Sequence, residues 1–199
     1  MGKNMQEFVN ILDESILQDN IKFASLFILN YECLRDYLVS QMKGFLSDEF
    51  REIDGRWQSV ESQKYKDEVK RLDSRNNKLF AALAWFRELE AINQNDIELF
   101  LKARDRRNSI THEFASELMR GFSEEDAIMF CSLLDLYRKV DKWWINEIEI
   151  SIAGDISPNG YDYDAVIGGQ AIILSLINEV ALGKAEAYSE LLHIIRQET

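Results

Sequence analysis

The chain has few of the residues that interrupt helices. Its 199 residues include one proline, Pro158, and nine glycines. A many-stranded sheet needs frequent turn residues, whereas long stretches of this chain carry Leu, Ala, Glu, Lys and Arg, which favour helices. The sequence therefore predicts an all-α protein, a helical bundle of about six to eight helices.

Residues that bind metals or form disulfides are equally scarce. The two cysteines, Cys33 and Cys131, are far apart and form neither a disulfide framework nor a zinc motif, which predicts buried free thiols. There is no His-Glu-x-x-His, no glycine-rich phosphate loop and no Gly-x-Ser-x-Gly. We therefore expect no metal and no cofactor, and the sequence gives no support for a zinc protease, NTPase or serine hydrolase.

Long apolar runs are also missing. No run approaches the roughly 20 residues that span a bilayer, and residues 1–20 lack the apolar core of a signal peptide. These features predict a cytoplasmic protein without a membrane partner. With 46% hydrophobic residues the chain can bury a core as a single domain over residues 1–199.

Positive charge is in the minority, with 23 Lys and Arg against 35 Asp and Glu and a net charge of −12. This balance argues against a protein that binds long nucleic acid mainly through its overall charge, and it suits a basic protein partner equally well. Basic residues nevertheless concentrate in one short segment beside a single acid, Asp105. They are Lys102, Arg104, Arg106 and Arg107.

One histidine follows this basic segment. Asn108 and His112 are four residues apart and so lie on nearly the same helix face, while Arg107 precedes His112 by five residues. Arginine offers a planar, permanently charged fork for phosphoryl oxygens, and histidine exchanges protons near pH 7. Together these groups supply what metal-free phosphodiester cleavage requires. The alternative is a solvated surface helix whose arginines pair with acids.

The hexad Arg107-Asn108-x-x-x-His112 resembles the Arg-polar-x3-to-x5-His signature of HEPN domains, many of which are metal-independent ribonucleases of toxins or antiviral defence. The resemblance covers about residues 20 to 150 as a helix pattern, and only the hexad is specific. Phe114 stands where the toxin branch typically has Tyr. The resemblance implies a HEPN-like bundle with Arg107, His112 and Asn108 as catalytic residues. It also implies an early acidic residue near them, for which Glu32 is the candidate.

One chain offers one suitable histidine, whereas attack by a 2′-hydroxyl needs a base, an acid and positive charge. A two-fold homodimer would bring two copies of Arg107 and His112 to one phosphate. We therefore predict a composite-site endoribonuclease that acts on RNA as a toxin or an abortive-infection effector, with Arg104, Thr111 and Glu32 as substrate-binding residues. A neutralising antitoxin or defence protein is a possible partner. The alternatives are a catalytically inactive protein-interaction module and a nucleotide-binding module.

Apolar periodicity predicts the individual helices. They cover Met5 to Leu17, about Ile21 to Leu46 and Asn76 to Ile92. The charged segment Ser47 to Asp73, which Gly55 interrupts, is predicted to form a kinked helix or two helices with an exposed joint. A motif helix capped by Asn95 or Asp96 runs to Met119, and a long helix opened by Ser123 runs to about Ile152. Residues 154–170 read as an irregular loop, in which calcium binding is disfavoured by the ligand spacing. Residues 171–199 are predicted to form C-terminal helices.

Several side chains have two interpretations from the sequence alone. Glu32 is either solvated or close to the motif, and Trp57 and Tyr65 are either core anchors or base-stacking residues. The second histidine, His193, has only Arg196 as a basic neighbour, so we interpret it as structural or solvated.

Overall fold

The computed structural model describes residues 3–153 and 161–184. Helix α1 (Lys3–Leu12) is followed at once by the long helix α2 (Glu14–Phe45). Asp13 separates them because its carboxylate accepts hydrogen bonds from the Ser15 and Ile16 backbone N–H groups, which caps α2. The predicted pair of helices is present, with the boundary nearer the N-terminus than periodicity indicated.

A β-hairpin replaces the kinked helix predicted after α2. Strands β1 (Phe50–Ile53) and β2 (Arg56–Ser59) pair antiparallel around Asp54 and Gly55, whose φ angles are 52° and 73°. Both central residues thus have the positive φ of a tight hairpin turn, which Asp-Gly favours. The prediction of helix was wrong for residues 50–59, because Gly55 was interpreted as an interruption of a helix and not as part of a hairpin turn.

Two shorter helices complete this part of the chain. Helix α3 (Gln63–Leu72) is capped by Ser62 and α4 (Lys78–Glu88) by Asn77, whose oxygen accepts from the Leu79 and Phe80 N–H groups. Tyr65 of α3 is buried, as a core anchor should be, whereas Trp57 of β2 is 74% exposed and is not an anchor.

Helix α5 (Gln94–His112) carries the motif and begins one or two residues before its predicted caps. Asn93 caps it, and Asp96 returns a hydrogen bond to the Asn93 N–H as part of a capping box. Glu113 (φ −118°, ψ 32°) then interrupts the helix, so the prediction of one helix to Met119 was wrong. The chain continues as α6 (Phe114–Arg120).

The remaining described helices follow α6. Helix α7 (Glu124–Trp144) opens with a capping box between Ser123 and Asp126 and continues through a π-helical turn (Ile145–Glu149) into α8 (Ile150–Ala153). Residues 161–168 form an irregular segment before α9 (Gly169–Glu179), which ends in a π-helical turn at Lys184. His193 and the rest of the predicted final helix lie outside the described residues.

Helix α2 is the central element of the core. Its side chains Phe27, Tyr31, Leu34 and Leu38 are almost completely buried. Helices α4, α5 and α7 pack against it. Their largest buried contributors are Phe86, Phe100, Ile110, Leu133 and Val140. The all-α prediction is therefore confirmed, with the hairpin as the one sheet in the described part of the chain.

Two polar contacts fix α9 on this core. Asn30 and Asn178 are buried and exchange two amide hydrogen bonds of 2.7 and 2.9 Å. Gly168 donates its N–H to Asp141 at 2.7 Å, and a Cβ on Gly168 would lie 2.4 Å from the same carboxylate. In the described part of the chain, Ile172, Ile173 and Ile177 of α9 remain exposed.

Two remaining predictions concern the thiols and the membrane. Cys33 is half-buried and Cys131 is exposed, so the prediction of two buried thiols was wrong. Cys33 and Cys131 lie at the edge of the apolar faces of α2 and α7, and the sequence did not reveal whether each thiol points to the core or to solvent. Among the described helices, none combines the length and the apolar character needed to cross a membrane.

Candidate functional site

Helix α5 presents the predicted residues along one side. Phe100, Ala103 and Ile110 recur at spacings of three and seven, and they are buried against the bundle. The adjoining edge of the helix carries four half-exposed or exposed residues of the predicted site. They are Arg104, Arg107, Asn108 and Thr111.

Arg107 is held by three neighbours. Its Nη2 forms an ion pair with Oε1 of Glu32 at 2.5 Å, and its Nη1 donates to Oδ1 of Asn108 at 2.8 Å. The guanidinium carbon lies 4.8 Å from the centroid of the Tyr31 ring, which is cation–π distance. Only 19% of the side chain is exposed. Arg107 is therefore a positioned cation rather than a mobile surface side chain.

Glu32 links two arginines of different helices. Besides Arg107 it forms an ion pair with Arg35, one turn further along α2, and Arg35 also binds Asp36 at 2.7 Å. The reading of Glu32 as merely solvated was therefore wrong. The spacing of Glu32 and Arg35 by three residues is a helical ion-pair signal, but it does not reveal the contact with α5.

Tyr31 lies at the centre of these charges. Its ring is buried and packs on Phe100 at a centroid distance of 5.0 Å. Burial raises the pKa of its hydroxyl, and the nearby positive charges of Arg107, Arg104 and Arg35 oppose this effect without cancelling it. The three arginines therefore lie near one another around the Tyr31 hydroxyl.

His112 is the last residue of α5, and its side chain is exposed. Within residues 3–153 and 161–184, nothing forms a side-chain hydrogen bond or ion pair with it. Asn108 does not orient the imidazole, since its oxygen accepts from Arg107. The Thr111 hydroxyl donates to the Arg107 carbonyl oxygen at 2.9 Å. The structure thus joins Arg107, Asn108 and Glu32 and leaves the His112 side chain accessible.

Arg104 extends the basic edge by one turn. It pairs with Asp105 at 3.1 Å, and its guanidinium lies over the Phe80 ring at 5.5 Å. Arg75 lies over the same ring at 5.0 Å. The sequence did not indicate that Arg75 and Phe80 lie beside Arg104, because both residues are more than 20 positions before it. Phe80 belongs to α4, and Arg75 lies in the turn that precedes α4.

Arg106 does not belong to this edge, although the sequence placed it in the basic cluster. Its Nη1 donates to Glu117 at 2.7 Å, and its Nε donates to Asp126 at 2.6 Å. Glu117 is completely buried and also accepts from Ser109 at 2.8 Å and Arg120 at 2.9 Å. The positive charge available to a ligand is therefore smaller than the sequence suggested.

The Arg106 network also perturbs its carboxyl groups. Burial acts to raise the pKa values of Glu117 and Asp126, but the hydrogen bonds and charge of Arg106, together with those of neighbouring residues, outweigh it. Both pKa values therefore lie below the ordinary range. Both groups are therefore ionised near neutral pH, and each compensates Arg106.

Among the residues that the structure describes, no group of three His, Cys, Asp or Glu side chains is placed to hold a metal ion. Comparisons of the chain with protein-family models, with curated proteins and with solved structures give no match.

Proposed function

We propose that this protein is a metal-independent endoribonuclease of HEPN type, acting through a composite site between two copies. The observation that carries the proposal is the presence of a positioned Arg107 and an accessible His112 on the same helix. Arg107 is fixed by Glu32, Asn108 and Tyr31, while the imidazole is free to meet a ligand.

The proposed reaction is transesterification. The RNA 2′-hydroxyl attacks the adjacent phosphorus, its proton passes to a neutral imidazole, and the P–O5′ bond breaks as a protonated imidazole donates to the leaving oxygen. Arg107 stabilises the charge on the phosphorane oxygens. The products are a 2′,3′-cyclic phosphate, or the 3′-phosphate that its hydrolysis yields, and a 5′-hydroxyl.

The two proton transfers require two imidazoles in this scheme. His112 is the one histidine of the described chain, so a second copy supplies the other. The exposure of Thr111, His112 and Phe114 supports this arrangement, because the C-terminal end of α5 is open to a partner of the same kind. RNA and a homodimer are thus the proposed partners, and the cytoplasm is the proposed compartment.

A biological role follows from the resemblance of the motif. HEPN-like ribonucleases of this kind serve as toxins or as antiviral, abortive-infection effectors, and we propose the same role here. A neutralising antitoxin or a defence-system protein belongs to that proposal as a partner.

A second candidate is a silent interaction or nucleotide-binding module. The observation that favours it is the pairing of Arg107 with Glu32 at 2.5 Å, which already neutralises the cation that a phosphate would meet. In that reading the hexad is structural, and the chain's charge of −12 suits a basic protein partner.

Cleavage of RNA by matched variants tests the proposal. His112→Ala should lower the cleavage rate of total RNA by about a hundredfold or more, since acid–base catalysis is worth roughly 10²–10⁴ per group. Arg107→Ala should lower it by a similar factor, because the phosphorane loses its cationic contact. His193→Ala is the control, because it removes the chain's other histidine. Expression of the wild type should slow cell growth, and expression of His112→Ala should not.

Circular dichroism and melting temperature complete the experiment. His112 is exposed, so His112→Ala should melt within a few degrees of the wild type. Equal cleavage by wild type and His112→Ala, together with equal growth, would support the interaction module instead.

A further inference from the structure

We infer that Arg75, Phe80 and Arg104 form a subsite for a second backbone phosphate of an unpaired RNA strand, next to the Arg107 and His112 site. We call these three residues the Phe80 subsite. The inference rests on the proposed function in taking RNA as the ligand, but it concerns binding rather than cleavage.

Two guanidinium groups share one aromatic ring at this place. Arg75 lies 5.0 Å and Arg104 5.5 Å from the Phe80 centroid. A guanidinium that stacks on a ring through its face keeps its in-plane N–H groups available, and those groups match phosphate oxygens. Phe80 thus supports two phosphate-binding forks, each within 5.5 Å of its ring centroid.

The backbone that carries Arg75 is organised rather than loose. Asp73 accepts through its backbone oxygen from Asn76 N–H at 2.9 Å and through its carboxylate from Asn77 N–H at 2.9 Å. Asn76 adopts a positive φ of 56° within this turn. The turn therefore fixes the point from which Arg75 reaches Phe80, so that a bound phosphate does not have to order the backbone.

The carboxylates beside these arginines leave room for an anion. Arg75 (70% exposed) pairs with Asp73 (11% exposed) at 3.3 Å, and Arg104 (31% exposed) pairs with Asp105 (70% exposed) at 3.1 Å. Each pair thus has one solvent-exposed partner, and ion pairs at the surface are weak, so a phosphate can share the arginines with them. Arg107, by contrast, is largely enclosed by its partners.

The Phe80 subsite lies next to Arg107, one of the two proposed catalytic residues. Arg104 and Arg107 are three residues apart on α5, which places them about 4.5 Å apart along the helix axis and on one face. Both act on the Tyr31 hydroxyl electrostatically, as Arg35 does. A strand whose scissile phosphate meets Arg107 and His112 can therefore continue past Arg104 to Arg75. Unpaired RNA fits this path, because in-line attack by the 2′-hydroxyl needs a backbone that can leave A-form geometry.

Salt-dependent binding of a non-cleavable strand tests the subsite. The probe is a fluorescein-labelled 2′-O-methyl oligouridine of about twelve nucleotides, whose blocked 2′ oxygens prevent attack. Anisotropy titrations of the full chain at several salt concentrations give the slope of log K against log salt. Each phosphate contact contributes about 0.7 to that slope for a single strand.

Arg75→Ala should reduce the slope by about 0.7 and weaken binding about fivefold at 0.1 M salt. Arg104→Ala should do the same, and Arg75→Lys, which keeps the charge, should retain the slope. Arg138→Ala is the control, because Arg138 is a 55% exposed arginine that pairs with Asp135 at 3.7 Å on α7. It should leave slope and affinity unchanged, and all variants should melt with the wild type.

The outcomes separate this inference from the proposed function. If unmodified RNA is not cleaved but Arg75→Ala still lowers the slope, the subsite stands and the ribonuclease does not. If RNA is cleaved and neither Arg75→Ala nor Arg104→Ala changes the slope, the subsite is refuted. Absence of binding by the wild type, or an equal effect of Arg138→Ala, would refute it as well.

Discussion

Arg106 donates from Nη1 to Oε2 of Glu117 across 2.7 Å, and the Glu117 side chain is entirely buried. Arg106 belongs to α5 and Glu117 to α6, so this ion pair joins the two helices on either side of the break at Glu113. The contact therefore fixes the direction in which the chain leaves His112.

Loss of the Glu117 carboxylate should destabilise the protein strongly. Glu117→Ala leaves Ser109 without its acceptor and Arg106 with Asp126 as its remaining acid partner, and removing one partner of a buried pair costs about 3–5 kcal/mol. Glu125→Ala, which removes an exposed acid of α7, should change the free energy of unfolding by less than about 0.5 kcal/mol. Urea denaturation measures both, and equal midpoints for the two variants would contradict the structural role of Glu117.

The same carboxyl group predicts a pH dependence of stability. Because the pKa of folded Glu117 lies below its ordinary value of about 4.3, its stabilising effect is complete above that value. The effect is then lost as pH falls through the lower, folded pKa. The difference in unfolding free energy between wild type and Glu117→Gln should thus be constant from pH 7 to about 5 and shrink below about pH 4. Denaturation at a series of pH values tests this, and a difference that grows on acidification would be inconsistent with it.

Glu32→Gln should tighten RNA binding. The change removes the carboxylate that pairs with both Arg107 and Arg35, which leaves more positive charge for a phosphate. We expect affinity for the 2′-O-methyl oligouridine to rise about twofold to fivefold, since partly exposed ion pairs are worth up to about 1 kcal/mol. Asp135→Asn is the control on α7. Weaker binding by Glu32→Gln would instead mean that Glu32 is needed to position Arg107.

Cleavage of RNA should persist without metal. The proposed chemistry uses imidazole and guanidinium groups alone, so an excess of EDTA should leave the rate within about a factor of two. The measurement is the initial rate on one RNA with and without chelator. Abolition of the rate by EDTA and its recovery with magnesium or manganese would show that the proposed mechanism is wrong.

A two-fold dimer should bring the ends of two α5 helices together. Sedimentation at tens of micromolar should show a dimer, and Thr111→Cys in a Cys131→Ser background should form a disulfide between copies on mild oxidation. Cys131 is removed because it is exposed, and Glu125→Cys serves as the exposed control on α7. Monomer alone, or cross-linking through residue 125 and not 111, would refute the composite site.

The fold class was predictable from the sequence because helix periodicity is local. The hairpin was missed, although Asp54-Gly55 between Phe50 and Trp57 is a recognised turn signal. The break at Glu113 had no such signal, because neither glycine nor proline lies near it. It depends on Glu117 reaching Arg106, which is a tertiary contact.

The sequence predicted the relative placement of the proposed site residues only within α5, and their roles stay predictions. The spacing of Arg107 and His112 on one helix follows from the sequence, whereas the contacts of Arg107 with Tyr31 and Glu32 depend on how α2 packs. The separation of Arg106 from Arg107 likewise depends on helix rotation, because adjacent residues point about 100° apart. Short-range patterns give the residue types of a site, and packing decides which of them meet.

Gly168 has a consequence for recognising relatives of this protein. Any side chain at position 168 would collide with the Asp141 carboxylate that the Gly168 N–H group binds. Homologues with the same fold should therefore keep a glycine at position 168 wherever they keep the acid at position 141. That pair constrains architecture and not chemistry. A homologue that keeps both residues but replaces His112 would have the bundle without the proposed reaction. The residues at positions 112, 141 and 168 therefore distinguish homologues that share the reaction from homologues that share only the fold.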